Sequence, residues 1–378
     1  MTAQVIDVDG HILEPASLWA ERIAPEYKSR ALRIDIDDEG LEYWSFDGVM
    51  TGTYSKGRSA NVAAIGTTRE WRKEHVFEKR DITWEQALSR VPGAWDPDER
   101  VKMMTAEGID ISILYPTVGL AFARLDDPGL SHAYCSVYND WIVEFCNAHP
   151  DRLVPALTLP WHDLELSVGE MRRFSWLGKK AVQAPSGPPR DISFGATHWD
   201  PLWAEHQAQG VPVSLHVGSA GTSSPSLLHP EVKHPSWWTF TVESTDLMNA
   251  FCSFFQGAVF DRFPDLKILM LESGCLWMPY FLERMDETFE LIGFTTAMKH
   301  KPSEYFRERG WISMEPDDEL GAATANLMGA DRLVWAFDYP HSDSCEEPVA
   351  QLKESLGSLS PEDQARVMGL NAREMYGL

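Results

Sequence analysis

Strand-like and helix-like segments alternate along most of this chain, and this alternation limits the fold more than any other sequence feature. Residues 111–116 are apolar, and the apolar residues between 130 and 145 recur with helical spacing. The same order of strand and helix then repeats. Eight strands are predicted, at residues 5–11, 111–116, 153–159, 180–184, 211–216, 266–272, 311–314 and 332–338.

Strands separated by helices pair in parallel, which suggests a (β/α)8 TIM barrel or, as its rival, a doubly wound open sheet. Polar residues end four of the apolar runs, as expected at the mouth of a barrel: His11, His216, Glu272 and Asp338. No glycine-rich phosphate loop follows the first strand. We therefore predict one barrel domain spanning residues 1–378.

Residues 14–95 interrupt the alternation and are predicted to be an insertion after the first strand. Residues 33–36 and 41–46 have patterns typical of strands, and the turn sequence Asp37-Asp38-Glu39-Gly40 lies between them. Together they predict a β-hairpin. Residues 67–90 are charged and irregular. We expect the insertion to be a lid or a subunit contact in a homo-oligomer.

The charge balance excludes some partners. Lys and Arg number 33 and Asp and Glu 57, a net charge of −24, which argues against nucleic acid and anionic membranes. The five cysteines show no CxxC spacing, and no signal peptide or run of 18 apolar residues is present. A cytoplasmic enzyme acting on a small molecule is expected. Most of the 15 tryptophans are expected in the core or in subunit contacts, and a few in a pocket for a bulky apolar substrate.

The first strand carries the most informative polar pattern, because Asp7, Asp9 and His11 alternate with apolar residues and are predicted to share one face. Asp9 and His11 can then reach one metal ion, although a hydrogen-bonded pair at a strand end is an equal alternative. Asp7 is expected to be structural. His216 alone is more typical of a buried core histidine than of a ligand.

The carboxylates at later strand ends strengthen the metal hypothesis. Glu272 ends a buried strand, where an ionised carboxylate needs a cation or several donors, and a buried ion pair is the alternative. Asp338 and His341 flank a proline-stiffened turn, and Glu315 is a reserve ligand. His229 and His234, in the loop after His216, are treated first as surface residues. The predicted ligand set is Asp9, His11, His216, Glu272, Asp338 and His341.

Several short motifs resemble the amidohydrolase-related family of metal-dependent TIM-barrel enzymes. They are Ile-Asp-x-Asp-x-His-Ile-x-x-Pro at residues 6–15, Leu-His-x-Gly at 215–218, Phe-Pro-Asp-Leu-Lys-Ile at 263–268, Leu-Glu-Arg-Met-Asp at 282–286, Phe-Asp-Tyr-Pro-His-x-Asp-Ser at 337–344 and the closing segment from Asn371. The chain departs from that family at two positions. Asp9 and Glu272 stand where its hydrolases and decarboxylases usually have histidine.

This altered, carboxylate-rich pattern resembles the TIM-barrel non-haem diiron monooxygenases of platensimycin and platencin biosynthesis. The resemblance implies two iron ions, dioxygen and hydroxylation of an aliphatic carbon, often on a coenzyme A thioester. Mixed imidazole and carboxylate ligands suit iron or manganese. A coenzyme A substrate would need a basic patch, for which the only dense cluster, more typical of a solvated face, is Arg69, Arg72, Lys73, Lys79 and Arg80.

Two other readings remain open. The first is a hydrolase or non-oxidative decarboxylase with one zinc or manganese ion, in which Glu272 or His341 is the catalytic general base. The second is a binding protein with a degenerate barrel. It predicts that alanine at the apparent ligands leaves ligand affinity unchanged.

Overall fold

Eight parallel strands form a single sheet, as the alternation of strands and helices predicts. In this computed structural model, the described residues are 4–36, 38, 40, 42–47, 49–50, 65–74, 83–189, 192–218 and 236–378. The strands of the large sheet are β1 (Ile6–His11), β5 (Ile111–Tyr115), β6 (Leu153–Leu157), β7 (Ala181–Pro185), β8 (Val213–His216), β9 (Ile268–Leu271), β10 (Gly310–Met314) and β11 (Leu333–Trp335).

The strands of this sheet neighbour one another in chain order, from β1 and β5 through to β10 and β11. Immediately after β11 the chain returns to β1. The amide of Asp338 donates to the carbonyl of Asp9 and the amide of His11 donates to that of Tyr339, both at 2.8 Å. These bonds bring the first and last strands together in a nearly closed barrel. The predicted TIM-barrel fold is confirmed.

A second, antiparallel sheet lies in the insertion after β1. Its strands are β2 (Arg33–Ile36), β3 (Glu42–Phe46) and β4 (Val49–Met50), and Arg33 pairs with Ser45 in register. The predicted β-hairpin is therefore confirmed. Trp44 and Phe46 of β3 are buried against the helix layer, so the hairpin is anchored by aromatic packing.

Helices surround the barrel and fill the connections. They are α1 (Leu18–Arg22), α2 (Arg69–Glu74), α3 (Trp84–Arg90), α4 (Pro97–Glu107), α5 (Pro128–Asn147), α6 (Leu164–Arg173), α7 (Asp200–Gln209), α8 (Ser236–Gln256), α9 (Val259–Arg262), α10 (Trp277–Ile292), α11 (Pro302–Arg309), α12 (Gly321–Met328), α13 (Pro348–Ser355), α14 (Pro361–Ala365) and α15 (Asn371–Tyr376).

The two ends of α4 are fixed by capping. The Asp96 side chain accepts from the amides of Asp98 and Glu99, Pro97 occupies the first turn, and Gly108 adopts φ +80° at the C-cap. The apolar segment after the loop that follows β8 forms two helices, α8 and α9. Ala258, at φ +49°, separates them, because an α-helix cannot continue through a left-handed residue.

The core has two parts. Most apolar side chains pack between the strands and the helix layer, while a smaller cluster fills the barrel lumen and includes Ile6, Val8 and Leu271. Met375 and Tyr376 of α15 join the lumen cluster, and Lys267, just before β9, donates to the Met375 carbonyl at 2.7 Å. The terminal helix therefore packs at the amino-terminal end of the strands, opposite the polar strand ends.

Membrane insertion has no support from the helices that the structure describes, since none of them combines the length and the apolar character needed to cross a bilayer.

Candidate metal centre

Polar side chains from four strand ends meet at the carboxyl end of the barrel. Asp9 and His11 come from β1 and His216 from β8, and Glu272 follows β9 directly. Asp338 and His341 lie in the segment after β11. Because the carboxyl ends of parallel strands open at the same barrel face, residues far apart in sequence become neighbours.

An irregularity in β1 determines which of its side chains reach this face. Asp7 pairs with Ser112 of β5, but the next paired residues are Gly10 and Leu114, so β1 carries one extra residue. Such a β-bulge reverses the alternation of side chains. Asp9 and His11 enter the centre, whereas Asp7 bonds to Ser112 and lies near Arg100 of α4. The prediction that all three share one face is therefore wrong for Asp7.

The hydrogen bonds of His11 and His216 fix the tautomer of each neutral ring. Nδ1 of His11 donates to the carbonyl of Pro116 at 2.7 Å, and Nδ1 of His216 donates to that of Val217 at 2.9 Å. A carbonyl only accepts, so each neutral ring carries its proton on Nδ1 and presents a lone pair on Nε2. The two Nε2 atoms lie 3.2 Å apart.

Carboxylate oxygens face the same point. Oδ1 of Asp9 lies 3.3 Å from Nε2 of both histidines, and Oδ1 of Asp338 lies 3.4 Å from Nε2 of His11. Asp9 and His11 are fully buried, and Asp338 is nearly so.

His341 adds a further ring to the centre. The single hydroxyl proton of Thr117 goes to the carbonyl of Ile12, so the hydroxyl accepts from Nε2 of His341 at 2.9 Å. Nδ1 of His341 faces Oδ1 of Asp338 at 2.9 Å. Burial lowers the pKa of His341 to about 4, which leaves Nδ1 with a lone pair. Its ring centroid lies 4.0 Å from that of His11.

This donor set fits a divalent cation. Oxygen and nitrogen lone pairs that face one another repel unless a cation lies between them. Ligands about 2.1 Å from a metal are about 3.0 Å apart in octahedral and about 3.4 Å apart in tetrahedral geometry, and the observed separations match. One oxygen each of Asp9 and Asp338, Oδ2, also has no hydrogen-bond partner among the described residues.

Three overlapping groups have ligand atoms within 4.8 Å of one another. They are Asp9 with His11 and His216, His11 with Asp338 and His341, and Glu272 with Asp338 and Asp343. All six predicted ligands are thus brought together. Asp343 is not among the residues predicted from the sequence. Its position in the same short motif as Asp338 and His341 could have identified it.

Glu272 lies at the edge of the centre. Its Oε2 is 3.6 Å from Nδ1 of His216, and its side chain is 18% exposed, compared with 0% for Asp9 and 2% for Asp338. Burial raises the pKa of Glu272 well above its ordinary value, and the neighbouring carboxylates of Asp338, Glu243, Asp343 and Asp9 raise it further. Glu243 of α8 carries no sequence signal that could have identified it.

The backbone at two of these positions is strained. Glu272 has φ +52° and Asp338 has φ +56°, a region that side chains other than Gly, Asn and Asp seldom occupy. Glu272 directly follows β9, and Asp338 lies three residues after the end of β11. The turn at each position directs the carboxylate back over the barrel mouth, and surrounding hydrogen bonds hold it there, including that from the Asp338 amide to Asp9.

The reserve ligand and the basic cluster lie outside this set. Glu315 belongs to none of the three groups among the described residues; burial raises its pKa to about 8. Arg69 forms an ion pair with Asp317 at 2.7 Å. The side chains of Arg72, Lys73, Lys79 and Arg80, and the whole of His229 and His234, fall outside the described residues.

Comparison with known proteins identifies relatives across the chain. A family model described as Amidohydrolase matches residues 6–378. A 2-amino-3-carboxymuconate-6-semialdehyde decarboxylase of Dictyostelium discoideum is 26% identical over 289 residues, 75% of this chain and 77% of the relative. A gamma-resorcylate decarboxylase of a Rhizobium species is 23% identical over 295 residues, 74% of this chain and 87% of the relative.

Solved structures share the fold. An amidohydrolase from Mycobacterium avium subsp. paratuberculosis superposes with a TM-score of 0.80 over 100% of both chains at 20% identity. A dihydroxybenzoic acid decarboxylase from a Polaromonas species, solved with bound manganese and the inhibitor 2-nitroresorcinol, gives a TM-score of 0.65 at 18% identity and covers 100% of this chain and 97% of its own.

These comparisons correct the reaction predicted from the sequence. The curated relatives are decarboxylases, so the prediction of a diiron monooxygenase, an oxidoreductase, is wrong. The prediction of two iron ions is wrong as well, since the Polaromonas structure holds manganese. The dioxygen and coenzyme A partners belong to that reaction and are dropped with it. Carboxylates at Asp9 and Glu272 misled the prediction, because iron, manganese and zinc all accept mixed oxygen and nitrogen ligands.

Proposed function

Because the chain belongs to the amidohydrolase family, we propose that it is a metal-dependent, non-oxidative decarboxylase of a small aromatic or conjugated carboxylic acid. The observation that carries the proposal is the cluster of ligand atoms from Asp9, His11 and His216, with Oδ1 of Asp338 3.4 Å from Nε2 of the same His11. The decarboxylase relatives support the reaction class. The hydrolase alternative has no comparable support among those relatives.

Asp9, His11, His216 and Asp338 would hold one manganese or zinc ion, and Nδ1 of His341, which faces Oδ1 of Asp338 at 2.9 Å, would offer a further ligand atom. Bound there, the ion supplies a positive charge that anchors the substrate carboxylate and offsets the negative charge of the site. The Nδ1 bonds of His11 and His216 to backbone carbonyls keep both rings directed at the ion.

Glu272 is the group that we assign to proton transfer. Its greater exposure at the edge of the site lets its carboxyl reach a substrate, whereas Asp9 and Asp338 are enclosed. The neutral carboxyl donates its proton to the carbon that bears the carboxylate. The carbon–carbon bond then breaks, its electron pair returns to the conjugated system, and CO2 leaves. Glu272 regains a proton from water, so one proton is consumed per CO2 released.

Reconstitution with manganese or zinc under nitrogen tests the proposal directly. We expect CO2 release from one of a panel of hydroxylated benzoic acids and conjugated dienoic acids, and in D2O one deuterium at the carbon that loses CO2. Absence of CO2 from every acid with both metals, or turnover only in the presence of oxygen, would reject it. Release of an alcohol or amine from ester and amide substrates instead would support the hydrolase.

Glu272→Gln tests the assigned role. Gln has the same shape and no acidic proton, so kcat is expected to fall by about 10²- to 10⁴-fold while the bound metal stays constant. Glu287→Gln on the outer helix α10 is the matched control and should behave as the wild type. If Glu272→Gln keeps full activity, His341 becomes the candidate proton carrier, to be replaced in the same assay.

We also infer that residues 65–70, within the insertion, form a wall of the substrate site. The amide of Gly66 donates to the carbonyl of Pro340 and that of Arg69 to Ser344, both at 2.9 Å. Glu70 accepts from the amide of Glu346 at 3.2 Å. These bonds fasten the insertion to the segment that carries Asp338 and His341. Glu70→Ala should therefore raise KM more than it lowers metal affinity.

A further inference from the structure

The buried pair of Asp7 and Arg100 lies directly behind the candidate metal centre and takes no part in the chemistry proposed above. We propose that these two side chains are positioning residues, which set the geometry of the metal ligands by closing the barrel between its first strand and the segment after its last. This proposal rests on the proposed function only for the metal, and its test reads metal affinity rather than turnover.

The Asp7 side chain forms hydrogen bonds across the seam of the barrel, which is the junction between β1 and the segment after β11. Its Oδ1 accepts from the amide of Phe337 at 3.0 Å and from the amide of Asp9 at 3.1 Å. One carboxylate oxygen thus binds the residue before Asp338 and the backbone of Asp9. This oxygen therefore supports the relative positions of Asp9 and Asp338, in addition to the direct bond from the Asp338 amide to the Asp9 carbonyl.

Arg100 reaches the same seam from helix α4. Its Nη1 donates to the carbonyl of His11 at 2.8 Å and approaches that of Tyr339 at 3.5 Å, while its Nη2 donates to Oγ of Ser112 at 3.2 Å. Oγ of Ser112 in turn donates to Oδ2 of Asp7 at 2.6 Å. The guanidinium therefore contacts the carbonyls of His11 and of Tyr339, the residue after Asp338, and is connected through Ser112 to Asp7.

The bulge in β1 makes room for this arrangement. An ideal Cβ at Gly10 would lie 2.2 Å from Nη2 of Arg100, 2.5 Å from Oγ of Ser112 and 2.7 Å from Oδ2 of Asp7. The space that a side chain would occupy is therefore filled by the network. Glycine lets the backbone pass over the guanidinium while Asp9 and His11, on either side of it, turn toward the metal site.

Because the network is buried, its charged groups cannot be solvated by water. Asp7 and Arg100 are both 0% exposed, so each charge depends on the other and on its hydrogen bonds. Removing one partner leaves the other charge buried without compensation, and the backbone that it holds is free to shift. Metal binding requires the distances between ligand atoms to be correct within a few tenths of an ångström. Small displacements of Asp9 and Asp338 would therefore weaken it.

Metal titration of Arg100→Met and Asp7→Asn tests the proposal. Methionine preserves much of the apolar bulk and removes every donor, while asparagine keeps the acceptor for Phe337 and Asp9 and removes the charge. We expect the Kd for Mn²⁺ to rise about 10- to 100-fold in Arg100→Met and less in Asp7→Asn. The electron paramagnetic resonance line shape of bound Mn²⁺ should also change. If Arg100→Met fails to fold, Asp7→Asn carries the test.

Glu170→Gln separates positioning from general destabilisation. Glu170 of α6 is also a buried charge in a hydrogen-bonded network, with Nδ2 of Asn139 at 2.8 Å and Nη2 of Arg173 at 2.6 Å, but it lies in the helix layer away from the seam. Its replacement should lower stability and leave the Kd and the line shape unchanged. An equal loss of metal affinity in Glu170→Gln, or unchanged affinity in both seam variants, would overturn the proposal.

The same measurements distinguish the two proposals. A wild-type protein that binds Mn²⁺ and releases no CO2 from the substrate panel rejects the decarboxylase and leaves the positioning role intact. A decarboxylase whose Mn²⁺ affinity does not respond to either seam variant rejects the positioning role alone.

Discussion

Replacing Gly10 by alanine is the smallest change that tests the structure of the metal-bearing strand. It adds one methyl group to β1, where Nη2 of Arg100, Oγ of Ser112 and Oδ2 of Asp7 already lie within 2.7 Å of the new carbon. The tip of an arginine is normally free to move aside. Here the guanidinium is fully buried and bonded to His11, so moving it breaks charged hydrogen bonds.

Two opposing effects determine whether Gly10→Ala raises or lowers the free energy of unfolding. Alanine restricts the unfolded chain, which favours folding by about 0.5–1 kcal/mol at a compatible position. Overpacking a buried site costs about 1–3 kcal/mol, and loss of hydrogen bonds to a buried charge costs about 1.5–3 kcal/mol more. Destabilisation therefore prevails, and we expect Gly10→Ala to lose about 3 kcal/mol of unfolding free energy.

Gly169→Ala is the matched control. Gly169 is exposed within helix α6, and a Cβ there would meet nothing within 4 Å. The same chemical change should stabilise the protein by about 0.5–1 kcal/mol because alanine favours the helix. Urea unfolding of the three proteins at equal protein concentration measures both values from the midpoints, provided that the slopes agree.

The result that refutes this reasoning is a Gly10→Ala protein as stable as the wild type to within about 0.5 kcal/mol, with unchanged Mn²⁺ affinity. That outcome would mean that no side chains occupy the space beside Gly10. Loss of stability without loss of Mn²⁺ affinity would instead confine the network to the fold and separate it from the metal ligands.

Three further substitutions test other buried groups. Burial raises the pKa of Glu14 to about 7, above its ordinary 4.5, although the amides of Gly119 and Val118 oppose the shift. The free energy of unfolding should therefore fall as the pH rises from 4.5 to about 7, and urea unfolding of Glu14→Gln should not show this pH dependence. Burial opposes ionisation of Glu170, but His132, Arg173 and Asn139 lower its pKa to about 2, so the destabilisation in Glu170→Gln should be larger at pH 7 than at pH 3 in the same assay. Asn371→Ala removes two 2.7 Å bonds to the carbonyls of Ala330 and Leu333 and should lower the denaturant midpoint by the equivalent of about 2–3 kcal/mol.

The fold could be predicted from the sequence because its signal is distributed over the whole chain. Eight apolar runs separated by helical periodicity define the barrel even when single boundaries are wrong, as for the strand predicted at residues 332–338 and found at Leu333–Trp335. The convergence of the six candidate ligands followed from the same rule, since residues at the carboxyl ends of parallel strands must meet. Asp343 and Glu243 could not be found this way because one lies in a turn and the other on a helix.

The reaction could not be predicted because ligand type does not determine it. Carboxylate and imidazole ligands bind iron, manganese and zinc alike, so Asp9 and Glu272 do not distinguish oxygen activation from decarboxylation. What differs between those reactions is the open coordination position, the supply of electrons and the placement of a proton donor beside the substrate. None of these is encoded in residue spacing.

The bulge in β1 shows a different kind of limit. Strict alternation treats Asp7, Asp9 and His11 as equivalent, and one extra residue is enough to separate a buried partner of Arg100 from two residues of the metal centre. The sequence does contain a sign of this, because a glycine inside a strand often marks a bulge. Gly10 lies between Asp9 and His11, where the backbone must pass over the guanidinium. Since the seam between β1 and the segment after β11 is closed partly by the Asp7 side chain, the position that completes the barrel is also the position that shapes the metal site.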